Sequence, residues 1–339
     1  MKAYEIRDFG IENLSLVERD TPEPEPNEVL VKFHAASLNH RDLMVIGGRY
    51  NPKMKLPAVP FSDGAGEVVV VGSDVTKWKV DDRVCPIFVQ GWIEGEVNLQ
   101  KSRTALGAGA QWDGVLREYG AFHEESVVRI PDHLSYEEAS TLPCTGVTAW
   151  HALVVSGQLK AGETVLTLGS GGVSVYALQL AKLFGAKVIA TTSSDEKAEK
   201  LEDLGADNVI NYRDREDWDN AVLELTRKTG VDHVIEVGGV GTLQRSVNAV
   251  RLGGHIALIG ALETEGSFNH LPVFMKMIRM QGIFVGSRTM FEDLNRAVDE
   301  NELKPVIDKV FGLNEAKEAL TYMESGSHFG KVVVRISDQ

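Results

Sequence analysis

Three glycines and a serine, Gly169-Ser170-Gly171-Gly172, lie between a short apolar run and an amphipathic stretch of the sequence. The run Val165–Leu168 predicts a buried strand, and the stretch Val173–Phe184 predicts a helix. Glycines at such a turn let backbone N–H groups approach an anion, which the positive end of the helix dipole attracts. The pattern predicts a pyrophosphate-binding turn of a dinucleotide site, with a simple chain reversal as the alternative. Its members are Gly169, Ser170, Gly171, Gly172 and Val173.

The second strand of this unit, Lys187–Thr192, ends without the acidic residue that usually binds the ribose hydroxyls of a dinucleotide. Hydroxyl groups and a cation stand at this strand tip and the next one instead, and they suit a ribose with a 2′-phosphate, which would repel a carboxylate. We therefore predict NADP(H) as the cofactor, with NAD(H) possible. The predicted contacts are Thr192, Ser193, Lys197 and Tyr212. As alternatives, Ser194 and Asp195 cap the following helix and Lys197 is only solvated.

Strand and helix patterns alternate around this turn. Because parallel strands need long crossover connections, the alternation predicts a doubly wound parallel sheet. The predicted strands are residues 164–168, 187–192, 208–211, 232–237, 254–260 and 282–287. The region 29–128 is β-rich with a long polar loop at 90–112, and the tail predicts a helix over 314–325 and a strand over 331–336.

Composition limits the classes of function. The 339 residues suffice for two domains, and a net charge of −14 without a basic patch disfavours nucleic acid as a partner. No apolar run reaches the length of a membrane span, and the N-terminal sequence has no signal-peptide core. Two cysteines suit a reducing compartment. We expect a cytoplasmic protein that acts on a small-molecule substrate.

Four further motifs extend the pattern across the chain: SLNHRD (37–42), PFSDGAGEVVVVG (60–72), LPCTGVTAW (142–150) and HFGKVVV (328–334). Together with the glycine turn they resemble the medium-chain dehydrogenase/reductase superfamily. The resemblance implies an α/β fold in which a Rossmann doubly wound parallel sheet is inserted into a β-rich GroES-like barrel domain. It implies a catalytic domain from residues 1–145 and 286–339, an NADP-binding domain at 146–285, and a homodimer.

Zinc alcohol dehydrogenases of that superfamily hold a catalytic metal with a Cys, a His and a second Cys. At the matching positions this sequence has Asn39, Ser62 and Cys144. Amide and hydroxyl oxygens are poor zinc ligands beside thiolate and imidazole, and the cysteines of the family's structural zinc lobe are absent too. We therefore predict no metal. A site built from His40, Asp63 and Cys144 is the alternative.

The remaining likeness is to the zinc-independent branch, which includes NADPH quinone oxidoreductases and enoyl reductases. It implies that Lys197 and Tyr212 contact the 2′-phosphate. It also implies cofactor contacts at His40, Thr148, Val285, Gly286, Ser287 and Lys331. Arg41 falls where the zinc enzymes have a proton-relay hydroxyl, which implies that this relay is lost.

Without a metal, conjugated carbonyls and quinones are easier hydride acceptors than simple aldehydes, because the developing charge spreads over several atoms. Asn39 would donate a hydrogen bond to the developing oxyanion, and Tyr50 and Ser62 are candidate proton donors. The alternatives are purely structural: Asn39 braces the loop, and Tyr50 is an aromatic residue at the rim of the site. We predict an NADP(H)-dependent, zinc-independent oxidoreductase. An alcohol or aldehyde reductase, or a catalytically silent NADP-binding module, is the alternative.

Overall fold

The computed structural model describes residues 1–109, 112–260, 262–263 and 265–337; parts of the predicted loop 90–112 and of both predicted domains lie outside these ranges. The strands are β1 Lys2–Ile6, β2 Leu14–Glu18, β3 Glu28–Ser37, β4 Asp63–Val71, β5 Arg83–Pro86, β6 Tyr119–His123, β7 Val127–Arg129, β8 Thr164–Thr167, β9 Lys187–Thr192, β10 Asn208–Asn211, β11 Val231–Glu236, β12 Val250–Leu258, β13 Arg279–Gly282, β14 Ile307–Gly312 and β15 Lys331–Arg335. The α-helices are α1 His40–Ile46, α2 Leu99–Ser102, α3 Tyr136–Ala139, α4 Val147–Trp150, α5 Gly172–Leu183, α6 Asp195–Asp203, α7 Trp218–Leu225, α8 Val240–Ala249, α9 Leu271–Met275, α10 Arg288–Glu300 and α11 Ala316–Glu324. Two π-helical segments flank α4: Leu142–Gly146 and His151–Ser156.

Residues 148–284 form one compact unit around a parallel sheet. The strand order is β10-β9-β8-β11-β12-β13, and every neighbouring pair is parallel. The order reverses at β8, with β9 and β10 on one side and β11 to β13 on the other. This is the doubly wound arrangement, in which ligands bind at the carboxyl ends of the strands near the reversal. The predicted α/β fold with a parallel sheet is confirmed.

The last strand of this sheet was predicted over 282–287, and that prediction is wrong. The strand is β13, which ends at Gly282, and the chain leaves the sheet through Val285 at φ +48°. Among the described residues β13 pairs with β12 alone, and the polar side chains of Arg279 and Gln281 on it are exposed. The apolar residues Ile283 and Val285 are buried after the strand has ended, which is why they gave the stronger hydrophobic signal.

The second unit contains residues 1–147 and the chain from residue 285 onward. Its main sheet has the order β14-β15-β3-β4-β5-β7, with β6 paired to β3, and β1 and β2 form a separate antiparallel pair. The tail helix begins as a 3₁₀ turn at Leu313–Glu315 and continues as α11. In the part of the chain that the structure describes, no helix is long and apolar enough to cross a membrane.

Candidate active site

The glycine turn joins β8 to α5 in the parallel-sheet unit. Gly169 adopts φ +72°, a conformation that favours glycine, and its N–H donates to Thr191 Oγ1 at 3.1 Å. Ser174, the third small residue, donates its hydroxyl to the carbonyl of Leu168 at 2.6 Å and so fastens the helix to the strand. A Cβ added at Gly169 or Gly171 would meet no atom of the described protein within 4 Å. The turn therefore leaves open space at the positive end of a twelve-residue helix.

The tips of β9 and β10 bring together the residues predicted to contact the adenosine ribose. Asn211 pairs with Thr192, and the N–H of Tyr212 donates to the carbonyl of Thr192 at 2.9 Å. Lys197 lies in the first turn of α6 and Tyr212 is 39% exposed at the same sheet edge. Ser193 is partly exposed, whereas the Thr192 side chain is fully buried, so its hydroxyl does not reach the surface.

Two polar residues at these tips already have hydrogen-bond partners within the protein. Ser194 is the N-cap of α6 and its hydroxyl accepts the N–H of Lys197 at 3.4 Å, as the capping interpretation predicted. Asp195, the acidic residue nearest to the strand tip in sequence, accepts a hydrogen bond from Asn211 Nδ2 at 2.9 Å. The nearest carboxylate is thus already engaged by an amide.

A buried hydrogen-bond cluster lies in the other unit, near the end of β3 that pairs with β15. The N–H of Leu38 donates to the carbonyl of Val332 at 3.0 Å, which sets Lys331 beside Asn39. Lys331 Nζ donates to the Leu38 carbonyl at 2.5 Å, to Asn39 Oδ1 at 2.7 Å and to Thr145 Oγ1 at 3.1 Å. Thr145 also donates to Asn39 Oδ1 at 3.0 Å. We call Lys331, Asn39 and Thr145 the Lys331 cluster; Lys331 is only 3% exposed.

A carboxylate, Asp63, lies close to the Lys331 cluster. Asp63 Oδ1 accepts from the Ser62 hydroxyl at 2.9 Å, and Oδ2 accepts from the N–H of Cys144 at 3.1 Å. Burial raises the pKa of Asp63, while the ammonium of Lys331 is the largest influence that lowers it. Burial in turn lowers the pKa of Lys331. Two opposite charges therefore share a site from which water is excluded.

Asp42 braces the start of α1. Its Oδ2 accepts from the N–H of Asn39 at 2.8 Å. Complete burial raises the pKa of Asp42 to about 7, against the opposing influence of Arg41. The backbone of Asn39 is therefore part of the brace, and its side chain joins the Lys331 cluster.

The positions that hold zinc in the resembling enzymes contain Asn39, Ser62 and Cys144. Asn39 Oδ1 accepts two hydrogen bonds, one of them from an ammonium, and Ser62 donates to Asp63. Burial raises the pKa of the Cys144 thiol, so the thiolate is disfavoured. His40 is exposed. Within residues 1–109, 112–260, 262–263 and 265–337, no three His, Cys, Asp or Glu side chains are grouped so that they could hold a metal ion.

The other predicted site residues have defined places in the fold. Tyr50 is half-buried and its ring lies 4.8 Å from the guanidinium of Arg41. Ser287 is the N-cap of α10, where its hydroxyl accepts the N–H of Met290 at 3.3 Å. Thr148 is buried in the parallel-sheet unit. Thr145 was not singled out from the sequence; its position two residues before Val147 in the TGVTAW segment gave no separate signal.

The fold and these motifs correspond to an oxidoreductase class. Residues 25–132 match the family described as the alcohol dehydrogenase GroES-like domain, and residues 172–300 match the family described as zinc-binding dehydrogenase. The chain belongs to the medium-chain dehydrogenase/reductase superfamily, as the sequence motifs predicted. It is an enzyme of the nicotinamide-dependent oxidoreductase type, and the Rossmann and GroES-like parts of the predicted fold are confirmed.

Three relatives illustrate the range of this family. The zinc-type alcohol dehydrogenase-like protein C1773.06c of Schizosaccharomyces pombe is 41% identical over 335 residues, with 96% of each chain covered. A 2-methylene-furan-3-one reductase of Solanum lycopersicum is 33% identical and covers 98% of this chain and 79% of its own. The solved structure of a protein from Sinorhizobium meliloti 1021 is 40% identical with a TM-score of 0.92, over 99% of this chain and 98% of the other.

Proposed function

We propose that the protein transfers hydride from NADPH to a conjugated carbonyl compound or a quinone, without zinc. The observation that carries this proposal is the hydrogen bond of 2.7 Å from the buried ammonium of Lys331 to Asn39, the residue at the first metal-ligand position. The ammonium bonded at that position would repel a zinc ion. Amide and hydroxyl oxygens are also poor zinc ligands. The donor set does not fit a zinc ion, and no step is assigned to one.

The glycine turn and the tips of β9 and β10 are the residues that would hold the cofactor. Gly169 and Gly171 leave room for a pyrophosphate beside the N–H groups at the start of α5. Lys197 and Tyr212 would bind the 2′-phosphate, and Ser193 would add a hydroxyl. When bound, the nicotinamide supplies the hydride; the protein orients the two reactants and stabilises the charge that develops.

Asn39 is the residue proposed to stabilise that charge. Lys331 and Thr145 both donate to its Oδ1, which fixes the amide with Nδ2 as the free end. Nδ2 is close enough to Asp63 to help lower the pKa of that carboxyl, yet it makes no hydrogen bond in the described residues. A buried, oriented N–H donor of this kind suits the developing enolate or phenolate oxygen of a conjugated acceptor. Ser62 and Tyr50 remain the proposed proton donors.

Turnover distinguishes this proposal from the alternatives. NADPH oxidation would be followed with a quinone, a simple enone and a saturated aldehyde, before and after treatment with a strong zinc chelator. We expect the enone or the quinone to be reduced fastest and the chelator to have no effect. Preferred use of the aldehyde would indicate an alcohol or aldehyde reductase, loss of activity with the chelator would restore the metal mechanism, and tight NADPH binding without any turnover would indicate a binding module.

Replacement of Lys197 tests the cofactor assignment. Lys197→Ala removes one charge-assisted contact to the 2′-phosphate, so the Kd for NADPH should rise by about 10- to 100-fold. The Kd for NADH, which lacks that phosphate, should change little, as measured by fluorescence titration. Lys200→Ala is the matched control, because Lys200 lies on the same helix but pairs with Glu196 at 2.8 Å. An equal loss for both cofactors would contradict the assignment.

The proposal extends to the domains and the assembly. We propose that residues 1–145 and 286–339 form the catalytic domain and residues 146–285 the NADP-binding domain of a cytoplasmic homodimer. β13 is an edge strand of the parallel sheet in the described part of the chain, and α9 beside it in sequence exposes Leu271, Phe274 and Met275. Such an edge favours pairing with a second copy. The cysteines Cys85 and Cys144 are both free.

A further inference from the structure

The guanidinium of Arg41, the second residue of α1, is a buried cation without a hydrogen-bond partner among the described residues. It lies over the rings of Tyr50 and Phe88, with each ring centroid 4.8 Å from Cζ. The side chain is 11% exposed. Its Nε, Nη1 and Nη2 are all buried, and none has a hydrogen-bond partner among the described residues. Five N–H donors of a permanent charge are therefore held out of water with nothing to accept them.

The charge is poorly balanced by its surroundings. The nearest carboxylate oxygen is Asp42 Oδ1, 3.7 Å from Nη1, which is longer than a hydrogen bond. The pKa of Asp42 is raised by burial to about 7, so this carboxyl is a weak counter-ion. Cys144, also near Arg41, is a neutral thiol whose pKa burial raises. Cation–π contacts stabilise the flat faces of a guanidinium but leave its N–H groups unsatisfied.

We infer that Arg41 binds a carboxylate group of the substrate. The ring contacts leave the N–H groups along the edge of the guanidinium without acceptors, and a planar carboxylate would satisfy that edge through two parallel hydrogen bonds. This inference rests on the proposed function and narrows its substrate class. The preferred acceptor is a conjugated carbonyl compound that also carries a carboxylate.

A matched pair of acceptors tests the inference: acetylacrylate and its neutral methyl ester. Reduction of either by NADPH adds a hydride to one alkene carbon and a proton from water to the other, giving levulinate or its ester and NADP⁺. We expect kcat/KM to favour the acid. Arg41→Gln should lower the acid-to-ester ratio of kcat/KM by about 10-fold or more, chiefly through KM for the acid.

Two further variants give the inference its specificity. Arg41→Lys keeps the positive charge but loses the two parallel N–H donors of the guanidinium. It should therefore retain only part of the acid-to-ester ratio of kcat/KM. Arg7→Gln should leave the ratio unchanged, because Arg7 is exposed and pairs with Glu5 at 2.9 Å. A wild-type enzyme without preference for the acid would overturn the inference. So would an equal fall in kcat for acid and ester in Arg41→Gln, which would place Arg41 at the reacting oxygen.

Binding of the product separates this inference from the proposed function. Levulinate and methyl levulinate would be titrated calorimetrically into wild type and Arg41→Gln in the presence of NADP⁺. The enzyme could bind levulinate through Arg41 and yet reduce neither acceptor. That result would support the carboxylate site and contradict the proposed reaction. Reduction of the ester without levulinate binding would do the reverse. A lower Tm of Arg41→Gln with an unchanged ratio would make Arg41 a packing residue and overturn the inference.

Discussion

Gly171→Val is expected to abolish NADPH binding while the protein stays folded. Gly171 has φ −77° and ψ 175°, which any residue adopts, and a Cβ there meets no described protein atom within 4 Å. The branched side chain would instead fill the space beside the N–H groups of the turn. Loss of two charge-assisted hydrogen bonds to phosphate raises Kd by roughly 100-fold or more. A poorer N-cap at α5 costs the fold about 1 kcal/mol at most.

The measurement pairs a cofactor titration with thermal unfolding. Gly282→Val is the matched control, because Gly282 also lies in open space and without a positive φ, but at the end of β13. The control should bind NADPH like the wild type. Retained binding in Gly171→Val would show that the turn does not hold the pyrophosphate, and a large fall in Tm would show that the glycine serves the fold.

The parallel sheet was predictable because its signals are local. β8, β9 and β11 are apolar runs with almost every residue buried, and these three strands and β10 were each predicted to within about two residues. β13 was misplaced because an edge strand with exposed polar side chains leaves no hydrophobic pattern. Pairing with β12, not composition, makes residues 279–282 a strand.

The candidate site was predictable only in part, for the opposite reason. The motif SLNHRD identified Asn39, and the resemblance placed Lys331 near the cofactor. Their hydrogen bond joins residues 292 positions apart and depends on the register of β15 against β3. The contacts of Arg41 with the rings of Tyr50 and Phe88 likewise depend on loop conformations that periodicity does not encode. The sequence therefore identifies the residues of each motif, but the register of strand pairing determines which motifs lie next to each other in the fold.

Lys331→Met is expected to be the most destabilising of the variants considered. Methionine has a similar length but removes the ammonium that donates to Asn39 and Thr145 and that lies near Asp63. Removing one partner of a buried charge pair lowers the free energy of unfolding by about 3–5 kcal/mol. Lys276→Met is the control: Lys276 donates to the carbonyls of Val247 and Asn248, and no carboxylate contributes to its lowered pKa. The free energy of unfolding should therefore fall less in Lys276→Met than in Lys331→Met.

The pH dependence identifies the cause. Without Lys331 the pKa of Asp63 rises further, so the folded state holds a proton that the unfolded state releases above its ordinary pKa near 4. Such a group destabilises the fold increasingly as pH rises from about 4, and contributes nothing below the unfolded pKa. In denaturant titrations, the free energy of unfolding that Lys331→Met loses relative to the wild type should therefore be largest near neutral pH. This loss should become smaller as the pH falls towards about 4.

A second substitution separates charge from packing. Asp63→Asn in the Lys331→Met background removes the uncompensated carboxylate and keeps an oxygen that accepts from Ser62 or from the N–H of Cys144. If the buried charge is the cause, this double variant should recover most of the lost stability at neutral pH, because a coupled pair is not additive. A deficit that stays constant with pH, and that Asp63→Asn only deepens, would mean that Lys331 contributes through its hydrogen bonds to the Leu38 carbonyl and Asn39 alone.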